Sequence, residues 1–264
     1  MDRPPRLRLL GAEVDVVTPS QVMAFTAACA AAGRKALVAN HNAHSLYLAP
    51  RNAPMRKLYA RADLIEIDSV PMIAWGRLLG HPVSRRHRCT YLDWREDFWR
   101  LAQKHGWRVF HLGCRPGVGE GAREAIIRRF PGVTLGVRHG FFDPGGPENA
   151  EVLAEIAAFR PDVLFVGMGM PRQEAWIEAN WDALPSAVVF PIGAAFDYEA
   201  GVAATPPRWT GRLGVEWLAR FLSEPRRLFV RYFVEPWSLV PAALGDLKRA
   251  LTAHRPVRLP QASR

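Results

Sequence analysis

Short apolar segments of strand length alternate with longer helix-like segments up to residue 203, and this alternation limits the chain to few folds. The strand-like segments are rich in β-branched or aromatic residues and cover residues 35–39, 64–67, 108–112, 133–137, 163–166 and 187–190. The helix-like segments cover residues 20–32, 92–105, 119–130, 149–159 and 173–181. Continuous apolar strands that alternate with helices are typical of parallel sheets covered on both faces. The sequence therefore predicts an α/β fold with a Rossmann-like, mostly parallel sheet.

The pattern changes after Gly201. Between residues 209 and 251, aromatic and aliphatic residues interleave with arginines, which predicts two or three amphipathic helices broken near Pro225 and Pro236. We therefore divide the chain into a Rossmann-like domain, a helical appendage and a disordered tail. These parts cover residues 1–203, 204–254 and 255–264.

The charge of the chain is strongly basic and unevenly distributed. The chain holds 35 Lys and Arg against 25 Asp and Glu, a net charge of +10. From residue 205 to the end there are 11 Arg and Lys against 4 Asp and Glu. This asymmetry indicates an anionic partner, which leaves nucleic acid, phospholipid headgroups and a phosphorylated substrate open. A merely solvated basic segment is the alternative.

The cysteines and the apolar segments bear on compartment and membrane topology. Cys29, Cys89 and Cys114 are widely spaced and form no CxxC motif, so neither a zinc site nor a disulfide framework is indicated. The basic N-terminus lacks a following apolar region, and no run of 18 apolar residues occurs. We expect a cytoplasmic protein, or one attached peripherally to the cytoplasmic face of the inner membrane.

Polar residues follow two of the predicted strands, where a parallel sheet binds its ligands. Asn40 and Asn42 follow the segment at 35–39, and Asp68 follows the segment at 64–67. Asp68 is either a functional carboxylate or the N-cap of a helix, because Ser69 and a proline come next.

Further loops are candidates for substrate binding. The turn that contains Gly113 and Gly117 connects a strand to a helix and could present backbone N–H groups to an anion, although an ordinary tight turn is the stronger interpretation. Its spacing matches neither GxGxxG nor GxxxxGK[ST]. Arg172 could pair with a phosphate, and Gln173 could hydrogen-bond a sugar hydroxyl. The remaining candidate residues are Arg86, His139, Gly167, Gly169 and Asp197.

No metal or other cofactor is required by the sequence. The strand ends carry no DxD cluster, and the chain has neither HExxH nor a His pair at helical ligand spacing.

Taken in order, these loops resemble the WecG/TagA/CpsF glycosyltransferase family, glycosyltransferase family 26. The resemblance covers roughly residues 8–235, and its most specific part is PDVLFVGMGMPRQEAW at 161–176. The other carriers are ADLIEID, GCRPGVGE, HGFF, GAAFD and RWTGRLGVEWLARFLSEPRR. The resemblance implies an inverting transferase that uses a UDP-sugar and an undecaprenyl-diphosphate-linked acceptor in the assembly of a cell-surface polysaccharide.

The resemblance also implies roles for individual residues. Asp68 is the candidate catalytic base, Gln173 a substrate-site residue, and Asn42 a polar residue in the same pocket. Arginines of the appendage are expected to meet the diphosphates and the anionic membrane surface; these are Arg220, Arg227 and Arg231.

The sequence departs from the usual family pattern in three places. Ser69 stands where glycine is usual, Asn40 where threonine is common, and residues 86–91 replace an Arg-x-x-Gly-x-Asp stretch. These changes concern the side of the site expected to hold the transferred sugar or the acceptor. Glucose and N-acetylmannosamine both stay open, and the chain looks closer to the exopolysaccharide branch with its xanthan-type glucosyltransferase.

Two other classes of protein are alternatives. Basic residues interleaved with aromatics suit nucleic-acid binding, but no helix-turn-helix, RRM or KH signature occurs. A nicotinamide-dependent oxidoreductase would use the same scaffold, but GxGxxG and an acidic ribose ligand are missing. The oligomeric state, including a homo-oligomer, is left open.

Overall fold

A six-stranded parallel sheet forms the centre of the protein. The computed structural model describes residues 4–203, 218, 221–222 and 225–253. In chain order its strands are β3 (Ala36–His41), β4 (Leu64–Ile67), β5 (Arg108–Gly113), β6 (Thr134–Arg138), β7 (Val163–Gly167) and β8 (Val188–Pro191). Their order across the sheet is β4-β3-β8-β7-β5-β6. Every strand predicted from the sequence is present, with ends shifted by two residues at most.

Helices cover both faces of this sheet and create two hydrophobic clusters. One cluster contains residues of α1 (Pro19–Ala31), α5 (Tyr91–His105), α6 (Val118–Arg129) and α9 (Ala195–Glu199). The other contains residues of α2 (Ala43–Leu48), α3 (Ala53–Arg61), α4 (Val70–Leu78), α7 (Glu148–Phe159) and α8 (Arg172–Asn180). The predicted Rossmann-like α/β fold is therefore confirmed.

An aromatic cluster fills the layer between α5 and the sheet. Phe98 and Phe165 lie with their ring centroids 4.8 Å apart, and Trp94 and Phe190 are 5.5 Å apart. All four side chains are buried. Such tightly packed rings fix α5 on the sheet. Trp94 and Phe190 are thereby held beneath the strand ends where the site lies.

An antiparallel hairpin, which the sequence analysis did not predict, lies against the edge strand β4. It consists of β1 (Arg6–Leu9) and β2 (Ala12–Asp15). The buried carboxylate of Asp15 accepts two hydrogen bonds from Arg6, both 2.8 Å long, and one of 2.7 Å from the Ile65 N–H. The hairpin thus protects an edge that would otherwise expose unpaired backbone groups.

The described part of the C-terminal appendage is helical, as predicted. It comprises α10 (Pro225–Phe229), a π-helical turn (Val230–Val234), a 3₁₀ turn (Glu235–Leu239) and α11 (Val240–Ala253). The buried Asp246 attaches α11 to the rest of the protein, because it accepts hydrogen bonds from the Leu10 N–H at 2.7 Å and the Trp75 indole at 3.0 Å. Arg220, the Arg227 side chain and the predicted tail at 255–264 lie outside the described residues. None of the helices that the structure describes is both long and apolar enough to cross a bilayer.

Candidate active site

The carboxyl ends of β3, β4, β7 and β8 surround a cavity of about 280 Å³, which we name the polar cavity. This is the edge of a parallel sheet at which ligands are expected. The cavity brings together six of the site residues predicted from the sequence, which are Asn40, Asn42, Asp68, Gly169, Gln173 and Arg231.

Asp68 follows β4 directly, and its side chain lines the polar cavity. Its backbone N–H donates to the His41 carbonyl at 2.9 Å, which continues the pairing of β3 with β4. The next residue caps α4 instead, because the Ser69 hydroxyl accepts a hydrogen bond from the Met72 N–H. The half-buried Asp68 carboxylate is thus positioned at a cavity rather than used as a cap.

Asn42 orients the Asp68 carboxylate. Its side-chain oxygen caps α2 by accepting hydrogen bonds from the His44 and Ser45 N–H groups at 3.0 and 3.1 Å. Its amide nitrogen then points at Asp68 and donates to Oδ2 at 3.3 Å. Asn40 is fixed in a similar way, because its amide nitrogen donates to the Pro191 carbonyl at 3.0 Å. Both amides are therefore rigidly held beside the cavity.

Gln173 connects the two glycine loops that follow β7 and β8. Its buried side-chain oxygen accepts hydrogen bonds from the N–H groups of Gly169 at 3.2 Å and Gly193 at 3.1 Å. Both glycines have positive φ angles, +80° and +58°, which a side chain would strain. Its amide nitrogen donates to Glu174 at 2.8 Å. The geometry gives Gln173 the role of holding both loops at the cavity wall.

Glu66 is a second carboxyl group in the polar cavity, and the sequence analysis did not identify it. It precedes Asp68 by two residues, so both side chains lie on the same side of the strand. Trp94 donates its indole N–H to Glu66 at 3.1 Å. Burial, together with the charge of Asp68, raises the pKa of Glu66 well above its ordinary value. The sequence feature that could have identified Glu66 is its position as the one acidic residue of an otherwise apolar strand.

A second cavity of about 390 Å³, the intermediate cavity, shares Asn42, His44, Asp68 and Arg231 with the polar cavity. Arg88 also lines it and donates to Asp93 at 2.8 Å. The predicted Arg86 lies away from both cavities, with its exposed side chain against His87. The arginine that the 3₁₀ turn before α5 brings to the site is thus Arg88, two residues beyond the predicted one.

Three predicted glycines serve packing and backbone geometry instead of lining either cavity. A Cβ atom on Gly113 would lie 2.5 Å from the Gly167 carbonyl oxygen, and one on Gly167 would lie 2.7 Å from the Gly193 oxygen. Only glycine allows these backbones to approach so closely. Gly117 has a φ of +84° and caps α6. Close packing of neighbouring strands and the start of α6 therefore account for the glycines of the turn that was expected to bind an anion.

Three other predicted residues also lie away from the two cavities. The Arg172 guanidinium donates to the Phe142 carbonyl and lies 5.9 Å from the centre of the Phe142 ring. Asp197 lies beside Cys114, where burial of the thiol and then the carboxylate raise the pKa of Cys114. His139 is partly buried near the end of β6. His139 follows β6 at the far edge of the sheet. Arg172 and Asp197 follow β7 and β8 beside the polar cavity, but their side chains are directed at Phe142 and Cys114 instead.

Glu174 provides a test of how burial beneath the site affects stability. Its side chain is fully buried, and burial raises the pKa of its carboxyl group to about 7. An unfolded chain releases this proton near pH 4.3 or so, so the folded protein retains a proton that the unfolded chain has lost between these pH values. The free energy of unfolding should therefore fall as the pH rises through this window.

We expect Glu174→Gln to remove this contribution, which is on the order of 1–3 kcal/mol. Urea unfolding at pH 5 and pH 8 measures it, and the stability advantage of the variant over the parent should grow with pH. The control is Glu124→Gln at an exposed position of α6. Equal pH dependence of the Glu174→Gln variant and the parent would contradict the prediction.

The match to a known protein family extends over both the sheet and the C-terminal helices. The model of the family described as "Glycosyl transferase WecG/TagA/CpsF family" matches residues 7–253. A Staphylococcus aureus protein (strain MRSA252) named N-acetylglucosaminyldiphosphoundecaprenol N-acetyl-beta-D-mannosaminyltransferase is 28% identical over 204 residues, and the match covers 74% of this chain and 78% of the relative. The protein of the same name from strain MW2 is 27% identical over the same shares.

Proposed function

This chain belongs to the WecG/TagA/CpsF glycosyl transferase family, and we propose that it transfers a hexose or N-acetylhexosamine from a UDP-sugar to a polyprenyl-diphosphate-linked saccharide. The names of the Staphylococcus aureus relatives describe transfer of N-acetylmannosamine to such a lipid-linked sugar. The observation that carries the proposal is the Asp68 carboxylate, which lines the polar cavity and is oriented by Asn42.

The proposed chemistry is one displacement at the anomeric carbon of the donor sugar. The acceptor hydroxyl oxygen forms the new bond while the bond from that carbon to UDP breaks, so the configuration inverts. Asp68 takes the hydroxyl proton as the oxygen attacks. The hydrogen bond from Asn42 keeps the carboxylate turned toward the cavity. A general base held in this way contributes about 10²–10⁴-fold to the rate.

Negative charge develops on UDP as it leaves, and arginines are the groups best placed to neutralise it. The N–H groups of Gly169 and Gly193 already donate to Gln173, and Arg172 is directed at Phe142. Arg231 lines the polar cavity, and Arg88 lines the adjoining one. We therefore assign the two diphosphates, of donor and acceptor, to Arg231 and Arg88.

The exposed side chains of the C-terminal helices favour an anionic membrane surface as a partner of the protein. α11 exposes Val240, Leu244, Leu247 and Leu251, which recur at helical spacing. Phe229, Phe233 and Trp237 are exposed just before it. Basic residues of the same segment would attract anionic headgroups while these apolar side chains enter the interface. In this proposal the protein works as a peripheral protein at the cytoplasmic face of the membrane.

We expect transfer to proceed in excess EDTA. Within the described part of the chain, no three His, Cys, Asp or Glu side chains are grouped so that they could hold a metal ion. Product formation is measured with and without EDTA, and Mg²⁺ or Mn²⁺ is then added back as the control. Activity that disappears with EDTA and returns with either metal would contradict the proposal that arginines alone neutralise the leaving group.

The function itself is tested by incubating the purified protein with a panel of UDP-sugars and synthetic polyprenyl-diphosphate sugars. Mass spectrometry then identifies both the transferred sugar and the acceptor. We expect one donor to give a product one sugar heavier than the acceptor. Salt-dependent nucleic-acid binding without any transfer, or oxidation of NAD(P)H, would support one of the alternative classes instead.

A further inference from the structure

Three cavities adjoin one another along the junction between the sheet and the C-terminal appendage. The polar and intermediate cavities share Asp68 and Arg231 in their walls. The intermediate cavity in turn shares Leu10, Leu46 and Leu239 with a third cavity of about 680 Å³, the distal cavity. The three cavities therefore lie in a row from the proposed catalytic carboxylate, past the β1-β2 turn, to the region between α2 and α11.

The chemistry of the walls changes along this path. The polar cavity contains carboxyl and amide groups, and Arg88 and Arg231 then line the intermediate cavity. Beyond them the walls of the intermediate cavity are mainly apolar, with Val70, Pro71, Met72, Phe233, Pro236 and Leu239. The distal cavity continues this surface with Ala12, Ala49, Pro50, Ile65 and Ala242, and Glu13, Arg51 and Arg56 also line it. The walls thus present carboxyl and amide groups first, then the guanidinium groups of Arg88 and Arg231, and then a mainly apolar surface.

We propose that the apolar parts of the intermediate and distal cavities bind the first isoprenoid units of the acceptor's lipid chain. This inference rests on the proposed function. A polyprenyl-diphosphate saccharide carries a sugar, a diphosphate and a hydrocarbon chain in that order, and the walls present matching groups in the same order. The sugar hydroxyl lies at Asp68, the acceptor diphosphate at Arg88, and the prenyl chain against Leu10, Leu46 and Leu239.

The far wall of this site is held in place before any ligand binds. Asp246 of α11 accepts a hydrogen bond from the Leu10 N–H, so the appendage is attached at a residue that itself lines both apolar cavities. His44 and Glu235 form a second attachment with a distance of 2.7 Å between Nδ1 and Oε2. A preformed apolar surface binds a hydrocarbon chain with little ordering cost. The appendage therefore serves as one side of a lipid-binding groove.

The test compares two acceptors with the same sugar and diphosphate, one ending in a methyl group and one in a farnesyl chain. Reactions run without membranes or detergent and below the aggregation concentration of the farnesyl compound. We expect the KM of the farnesyl acceptor to be lower by about tenfold or more, because its chain leaves water for the groove. An equal KM for both acceptors would overturn the inference.

Filling the groove should remove this preference. Ala242→Phe and Ala49→Phe each place a ring in the distal cavity, and we expect each to reduce the farnesyl preference to less than about threefold. The KM and kcat with the methyl acceptor should stay unchanged. Leu244→Phe, on the exposed side of the same helix as Ala242, is the matched control and should keep the preference.

The outcomes separate this inference from the proposed function. Transfer to the methyl acceptor without a chain preference, or a preference that survives both groove variants, contradicts the groove but leaves the transferase proposal intact. No transfer to any acceptor contradicts the proposed function itself. Thermal unfolding checks that each variant is folded. If a variant does not fold, the KM values of the two acceptors with the unchanged protein still test whether the groove binds the lipid chain.

Discussion

Asp68→Asn is expected to lower kcat by about 10²–10⁴-fold while the Kd of UDP changes little. The substitution keeps the size of the side chain and an oxygen that can accept the hydrogen bond from Asn42. It removes the capacity to take a proton from the acceptor hydroxyl at neutral pH. Steady-state rates of transfer and calorimetric titration with UDP measure the two effects separately.

Two control variants make this prediction specific. Asp97→Asn changes an exposed carboxylate of α5, which pairs with Arg100, and should leave transfer unchanged. Glu66→Gln changes the other carboxyl group of the polar cavity and should alter kcat by less than about tenfold, since burial raises the pKa of Glu66 and so favours its neutral form, which Gln resembles. Near-normal turnover by the Asp68→Asn protein would dismiss Asp68 as the base. Loss of turnover in Glu66→Gln alone would transfer that role to Glu66.

Ending the chain at residue 203 is expected to abolish both transfer to a lipid-linked acceptor and sedimentation with anionic vesicles. The truncation removes Arg231 from the polar cavity and Phe233 and Leu239 from the intermediate cavity. It also removes the exposed apolar face of α11 and the basic residues beside it. Catalysis and membrane attachment should therefore be lost together. Product formation and co-sedimentation with vesicles rich in anionic lipid are the two measurements.

The matched control ends at residue 253 and keeps α11 complete. This chain should retain transfer and bind anionic vesicles but not neutral ones, because basic residues attract an anionic surface. Circular dichroism checks that the shorter chain still folds. A chain ending at residue 203 that folds and still sediments with anionic vesicles would show that the membrane-binding surface lies in the sheet domain.

The core of the fold was predictable because its signals are local in the sequence. Each strand of the sheet is a mainly apolar segment, and five helices between strands matched their predicted positions within about one residue. The elements that were not predicted have weaker patterns. α2 has only six residues, and α3 and α4 have nine residues each. The β1-β2 hairpin has strands of four residues each, too short for a reliable alternation.

The α/β class and the strand ends that carry the site were predictable from local apolar patterns, because the carboxyl ends of parallel strands meet at one edge. The grouping of Asp68, Asn42 and Gln173 in one pocket was predictable from the resemblance to the family. The fold was needed to show that Glu66 and Arg88 join these residues, that Gly113 and Arg172 do not, and that the distal cavity adjoins the intermediate one. Cavity walls form from residues that are distant in the chain, and so do the contacts that hold those walls: the hydrogen bond between Leu10 and Asp246 joins positions 236 residues apart.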